Sequence, residues 1–153
     1  MQQMTNQLTS LETEIIDPLT SVNWDQEVLS HPDYTVFHSA AWAKVLHQSY
    51  GHEPIYLRFS RDGKLAALLP MMDVRSFLTG RRGVSLPFTD FCGPLIFGNE
   101  DPHFLASKLL EIARERKWKH FEIRERKTLE PSAPPAVAFL GHTLDLRGSE
   151  EEL

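Results

Sequence analysis

The stretch RRGVSLPFTDFCGPL, residues Arg81 to Leu95, decides how the rest of the chain is read. Two arginines and a glycine lead into a short strand, Val84 to Leu86. The loop after it holds Pro87, Phe88, Asp90, Phe91, Gly93 and Pro94. Aromatic, acidic and turn-forming residues this close together mark a backbone held in one shape, a common setting for ligand contacts.

Upstream, the periodicity alternates between helix and strand. Residues 1 to 12 are polar and aperiodic and read as a tail. Glu14 to Ile16 suits a short strand. Asn23 caps a short helix over Trp24 to Ser30. Ser39 caps a second helix, in which Trp42, Val45, Leu46 and Tyr50 share one inner face and Gly51 takes the left-handed position after its end. Ile55, Leu57 and Phe59 then alternate with Tyr56, Arg58 and Ser60, as in a half-buried strand. Arg61-Asp62-Gly63-Lys64 is a hairpin turn. Leu65 to Met72 is apolar on both faces, with a bulge or strand end expected near Pro70.

Downstream, Leu95 to Phe97 is a strand. Asp101 and Pro102 open a helix whose buried stripe is Leu105, Leu109, Ile112 and Ala113. Glu111 with Arg114, and Glu115 with Lys119, read as exposed pairs on it. Phe121 and Ile123 mark another strand. Residues 127 to 136 read as a proline-stiffened loop, and His142 to Leu146 as a last strand. Ser149 to Glu152 matches a capping box, read as the start of a further helix. This order gives an α/β sandwich with a mixed sheet flanked by helices.

Composition narrows the function. The 153 residues carry 16 Lys and Arg against 21 Asp and Glu, a net charge of −5. That balance disfavours DNA and general nucleic-acid binding. Cys92 is the single cysteine, so no disulfide framework forms within the chain. The first 30 residues contain no lysine or arginine, unlike a signal peptide, and no apolar run suits a membrane span. The expectation is a soluble cytoplasmic protein.

Several pieces, in order, resemble the first half of FemAB-like proteins, tandem-domain members of the GNAT acyltransferase superfamily. They are Phe37-His38-Ser39 with Trp42, Tyr50-Gly51-His52-Glu53-Pro54, Leu69-Pro70 and Gly80-Arg81-Arg82. Ser85-Leu86-Pro87-Phe88-Thr89-Asp90, Gly93-Pro94-Leu95 and Glu122-Ile123-Arg124 complete the set. The resemblance implies a single GNAT-like domain over residues 13 to 153, the first of a tandem pair. It also implies transfer of an acyl or aminoacyl group to an amine in cell-envelope or polysaccharide metabolism. Full-length relatives would use acyl-CoA or aminoacyl-tRNA as donor. This chain alone is expected to be inactive, to bind no cofactor and to meet a second GNAT-like domain or a second copy of itself. The alternatives are a non-catalytic interaction module and a truncated remnant.

Candidate chemistry is sparse. GNAT enzymes cradle a pyrophosphate on the N–H groups where a glycine-rich loop opens a helix. Here Phe97-Gly98-Asn99-Glu100-Asp101 precedes that helix, and its two carboxylates would repel the anion. Arg75, Arg81 and Arg82 form a basic cluster that can grip a phosphate or carboxylate. The plainer reading is a solvated hairpin turn between Gly80 and Gly83. Asp90 suits a base or substrate anchor if its apolar neighbours desolvate it, and more plainly a residue that fixes the loop by accepting backbone N–H bonds. Phe88 and Trp42 complete the substrate-contact candidates, although Trp42 and Tyr50, on the inner face of one helix, suit the core better than a ligand platform. His38 and His52 sit near helix ends, where capping or packing is the default. The seven histidines and Cys92 show no metal-ligand spacing, and no catalytic residue stands out.

Overall fold

A computed structural model describes residues 11–125, 129 and 132–140. The expected strand at His142 to Leu146, the capping box at Ser149 and part of the 127–136 loop lie outside these residues. β1 (Leu11–Ile16) begins inside the stretch read as a tail. It is followed by α1 (Trp24–Leu29), a 3₁₀ turn (Val36–His38), α2 (Ala40–Tyr50), β2 (Glu53–Pro54), β3 (Tyr56–Arg61), β4 (Lys64–Leu69), β5 (Met72–Ser76), β6 (Gly80–Val84), β7 (Leu95–Ile96), α3 (His103–Glu115) and β8 (Phe121–Glu122).

The strands form two four-stranded sheets, ordered β1-β3-β4-β7 and β2-β5-β6-β8. All neighbours are antiparallel except β6 and β8, so the arrangement is mixed. The apolar run Leu65 to Met72 therefore does not form one strand. Pro70 lacks an N–H for a ladder, and the run divides there, with β4 in one sheet and β5 in the other. The bond from Ile55 N to Met71 O, 2.8 Å, carries the chain pairing across the break. At the other end of β3 and β4, Asp62 and Gly63 both take positive φ, 51° and 71°, as a tight primed hairpin turn needs. A register shift after Phe59 leaves Ala66 as an extra residue opposite β3.

Both faces of the sheet are covered, so β3 buries Tyr56, Leu57, Phe59 and Ser60 on both sides rather than alternating, and only Arg58 and Arg61 stay partly exposed. Leu57 and Phe59 pack with Leu105, Leu109 and Ile112 of α3. Tyr56 packs on the opposite face with Trp24 and Val28 of α1 and Ala43 and Leu46 of α2. Trp24 meets the Tyr56 ring edge-on at 4.9 Å. In α2, Ser39 Oγ accepts the Trp42 N–H, and Gly51 ends the helix at φ 67°. Asn23 makes no side-chain cap; only its carbonyl bonds, to Glu27 N. On α3, Glu111 pairs with Lys108 instead of Arg114.

The second sheet turns on a buried carboxylate that the sequence reading passed over. The Asp73 side chain is 0% exposed and paired with Arg81, with Arg116 Nη1 at 3.4 Å. Arg81 Nε lies 2.8 and 2.7 Å from the two carboxylate oxygens. Glu53 extends the network, taking Arg75 Nη2 at 2.8 Å and Arg116 Nη1 at 3.4 Å. Gly83 stands opposite Asp73 in the ladder, and a Cβ there would meet the Trp118 ring at 2.2 Å. That glycine exists so that the indole can lie flat on β6. Gly83→Ala is therefore expected to destabilise the fold by about 1–3 kcal/mol, the range for overpacking a dense interior, measured by urea denaturation. Asp73→Asn leaves Arg81 and Arg116 facing a buried neutral amide. Because both guanidinium groups keep some access to water and Arg116 keeps Glu53, a loss of about 1–3 kcal/mol is expected in the same measurement.

Candidate functional site

β6 runs between β5 and β8, and its two arginines face opposite ways, as alternation along a strand requires. Arg81 lies on the α3 face, spent on Asp73. Arg82 lies on the α2 face and donates from Nη1 to Thr79 Oγ1 at 2.8 Å. Of the three arginines read as one cluster, Arg75 stands opposite Arg81 in the ladder while Arg82 is separated from both, and neither Arg81 nor Arg82 belongs to a hairpin turn, because residues 80–84 are strand. Hydrogen bonding to Asp73 raises the Arg81 guanidinium above its ordinary value. Burial works to raise Asp73, but the bonds and charges of its partners, Arg81 foremost, hold its carboxyl below the usual range. The Trp118 indole contributes from outside ordinary hydrogen-bond geometry.

After Val84 the chain leaves the sheet under strain. Leu86 and Phe88 both adopt left-handed φ, 62° and 61°, which side chains with a Cβ rarely take. The surroundings over-determine this shape. Ser85 N donates to Glu122 O at 2.8 Å, and Ser85 Oγ accepts Arg124 N at 2.7 Å. Thr89 Oγ1 donates to Leu86 O, Arg124 Nη1 to Thr89 O, and Cys92 N to Arg124 O. The loop therefore straps the ends of the parallel strands β6 and β8 together. Its outer product is Phe88, 60% exposed, whose ring stacks on Tyr50 at 4.6 Å; Tyr50 in turn stacks on His52 at 5.7 Å. Burial, then the Arg82 charge, lowers the His52 imidazole.

The other candidates fall as follows. Asp90 is exposed, and no described hydrogen bond ends on it, so it does not fix the loop. Thr89, Ser85 and Arg124 do that instead. Tyr50 is 55% exposed and Val45 45%, because α2 buries only Ala43 and Leu46 fully. Trp42 is half-buried and meets Phe37 edge-on at 5.3 Å, away from the Phe88 stack's contacts. Cys92 is buried, and burial pushes its thiol far up, which removes it as a thiolate nucleophile.

His38 anchors the far side of the loop. Its Nδ1 accepts the Thr35 N–H at 3.1 Å and its Nε2 donates to Gly93 O at 3.0 Å. Its own carbonyl accepts the Trp24 indole N–H at 2.7 Å. A buried neutral imidazole thus ties the 3₁₀ turn, α1 and the loop into one unit.

The start of α3 does not fit a pyrophosphate. Pro102 stands at the N-cap without an N–H. Asp101 Oδ1 takes the His103 N–H, Pro102 O takes Leu105 N, and Glu100 is paired with Arg61. The first-turn donors are partly filled by the chain's own acceptors, beside two carboxylates.

The fold is that of GNAT acetyltransferases. A ribosomal-protein-alanine N-acetyltransferase from Brucella melitensis biovar Abortus superposes with a TM-score of 0.54 at 16% identity, over 89% of this chain and 99% of that one. A GNAT family acetyltransferase from Staphylococcus aureus gives 0.53 at 13% identity, over 88% and 99%. No protein-family model and no curated protein matches the chain. Among the described residues no helix is long and apolar enough to cross a membrane.

The His38 geometry has a pH signature. Burial lowers its imidazole below 6.5, so the unfolded chain binds the extra proton first as pH falls. The stabilisation is complete above 6.5 and drains away below it, until the folded form also protonates. His38→Gln is expected to flatten this loss by up to about one proton per molecule, read from unfolding free energies between about pH 5 and pH 7.

Proposed function

We propose that this chain is a FemAB-like, GNAT-fold domain, comprising residues 13 to 153, of a cytoplasmic transferase that moves an acyl or aminoacyl group onto an amine. In this reading it contributes substrate surface rather than a donor cradle, and it works with a second GNAT-like domain or a second copy. The envelope or polysaccharide setting follows from the same resemblance. Arg82, Phe88 and Asp90 remain the substrate-contact candidates. Arg81 moves to a structural role through Asp73, and Trp42 to packing beside Phe37.

The observation that carries this reading is the start of α3. The scaffold is GNAT-like, yet Pro102, Asp101 and Glu100 occupy the place where a coenzyme pyrophosphate needs free N–H groups and no negative charge. The strap between β6 and β8 supports it, because the strand ends are already bonded through Ser85, Cys92 and Arg124. A self-sufficient acetyltransferase, like the two structural neighbours by their names, is the competing reading.

Titration calorimetry with acetyl-CoA separates the two. No saturable heat is expected from the wild-type chain. Micromolar binding that disappears in Gly98→Val would overturn the proposal and make the chain a stand-alone acetyltransferase.

A further inference from the structure

The end of β6 away from the loop carries a second feature, independent of the transferase reading. β5 and β6 form a hairpin whose last pair is Ser76 and Gly80. Ser76 Oγ accepts the N–H groups of Leu78 and Thr79, both at 3.3 Å, and Gly80 closes the turn at φ 84°. The turn is thereby tied to its own base. Phe77 is 104% exposed and Leu78 88%. Two adjacent large apolar side chains, fully solvated on a braced turn, are not scattered surface residues.

The charge around this tip is opposite to that of the whole chain. The net charge is −5. Yet no acid occurs from Val74 to Thr89 or from Arg116 to Phe121, two segments joined side by side through Lys119 N to Arg81 O. Glu53 and Asp73 pair with Arg75, Arg81 and Arg116. Arg82, Lys117 and Lys119 have no carboxylate partner among the described residues. The Lys119 side chain lies over Gly80, with Nζ 2.8 Å from where a Cβ would stand, so its ammonium sits at the base of the tip.

We propose that the Phe77–Leu78 tip is a membrane-contact element that inserts into the interfacial layer of an anionic bilayer, with Lys119 and Lys117 meeting the headgroups. The chemistry matches in both parts. An apolar wedge partitions into the headgroup–acyl boundary, and cations at its base are drawn to anionic lipid. RNA would use the same cations and would stack a base on Phe77, but the aliphatic Leu78 beside it offers no stacking face and suits an acyl layer instead. The contact is peripheral and reversible.

The test is co-sedimentation of the full chain with vesicles of phosphatidylglycerol and phosphatidylcholine in equal parts, against vesicles of phosphatidylcholine alone. Binding to the anionic vesicles is expected, weakening as salt shortens the reach of the charges. The double variant Phe77→Asp, Leu78→Asp should lower partitioning about tenfold or more, and Lys117→Glu with Lys119→Glu severalfold. These side chains are exposed, so thermal unfolding of the variants should match wild type. Independently, Leu78→Trp should shift its fluorescence to the blue on adding anionic vesicles. The proposal is overturned by absence of binding to anionic vesicles, by undiminished binding of the tip variant, or by an unshifted Leu78→Trp. Binding to a single-stranded RNA homopolymer in place of vesicles would overturn it in favour of RNA.

Discussion

The second sheet depends on a carboxylate that has no access to water. A buried ionised group is costly unless charge and hydrogen bonds surround it, and Asp73 has both from Arg81, with Arg116 further off. The fork of a guanidinium suits this because it meets both carboxylate oxygens at once. The pair joins β5 to β6, and Arg116 joins both to the end of α3. Gly83 completes the arrangement by having no side chain where Trp118 must lie. With the hairpin locked on this face, its two ends are free for other work. One end projects Phe77 and Leu78, and the other delivers the chain into the Leu86 turn.

That turn shows where stability has been redirected. Two left-handed residues with side chains in three positions are unfavourable unless neighbours enforce them. Enforcement comes from residues distant in sequence: Glu122 on β8, Arg124 just beyond it, and His38 from the segment before α2. The result is Phe88 held outward on Tyr50, instead of folding into the nearby core with Leu86 and Cys92. A loop built for connection alone has no need of this much bracing.

What was legible in the sequence was local. Asp62-Gly63, Ser39, Gly51, Pro70 and the apolar stripe of α3 each act through their own backbone or their own turn, so spacing alone reveals them. The α/β class followed from those elements in order. The site was less legible, because its logic is cross-strand. Arg81 and Arg82 look alike in a linear reading, and only the pleat sends one to Asp73 and the other to the opposite face. Asp73 itself sits one residue beyond an apolar run, and nothing local distinguishes it from a surface acid. The available hint was a lone acid in Met72–Ser76 facing a strand that begins Gly-Arg-Arg. Tyr50 was misplaced because helical period says which residues share a face, not how far the sheet beneath extends.

The same limit applies to the scaffold as a whole. Architecture is set by core packing on both sheet faces, and that packing tolerates wide sequence change, as identities of 13–16% over 88–89% of the chain show. Donor chemistry is set by a few groups at one helix end, which packing does not constrain. A proline and two acids at the start of α3 take part in no core contact, so α3 keeps its place whatever stands there. Likeness of fold therefore does not carry over the coenzyme, and the exposed features differ from the scaffold's common parts for the same reason. Phe88, Arg82 and the Phe77 tip lie outside the core's jurisdiction, where a side chain is retained or lost by what it touches outside the chain.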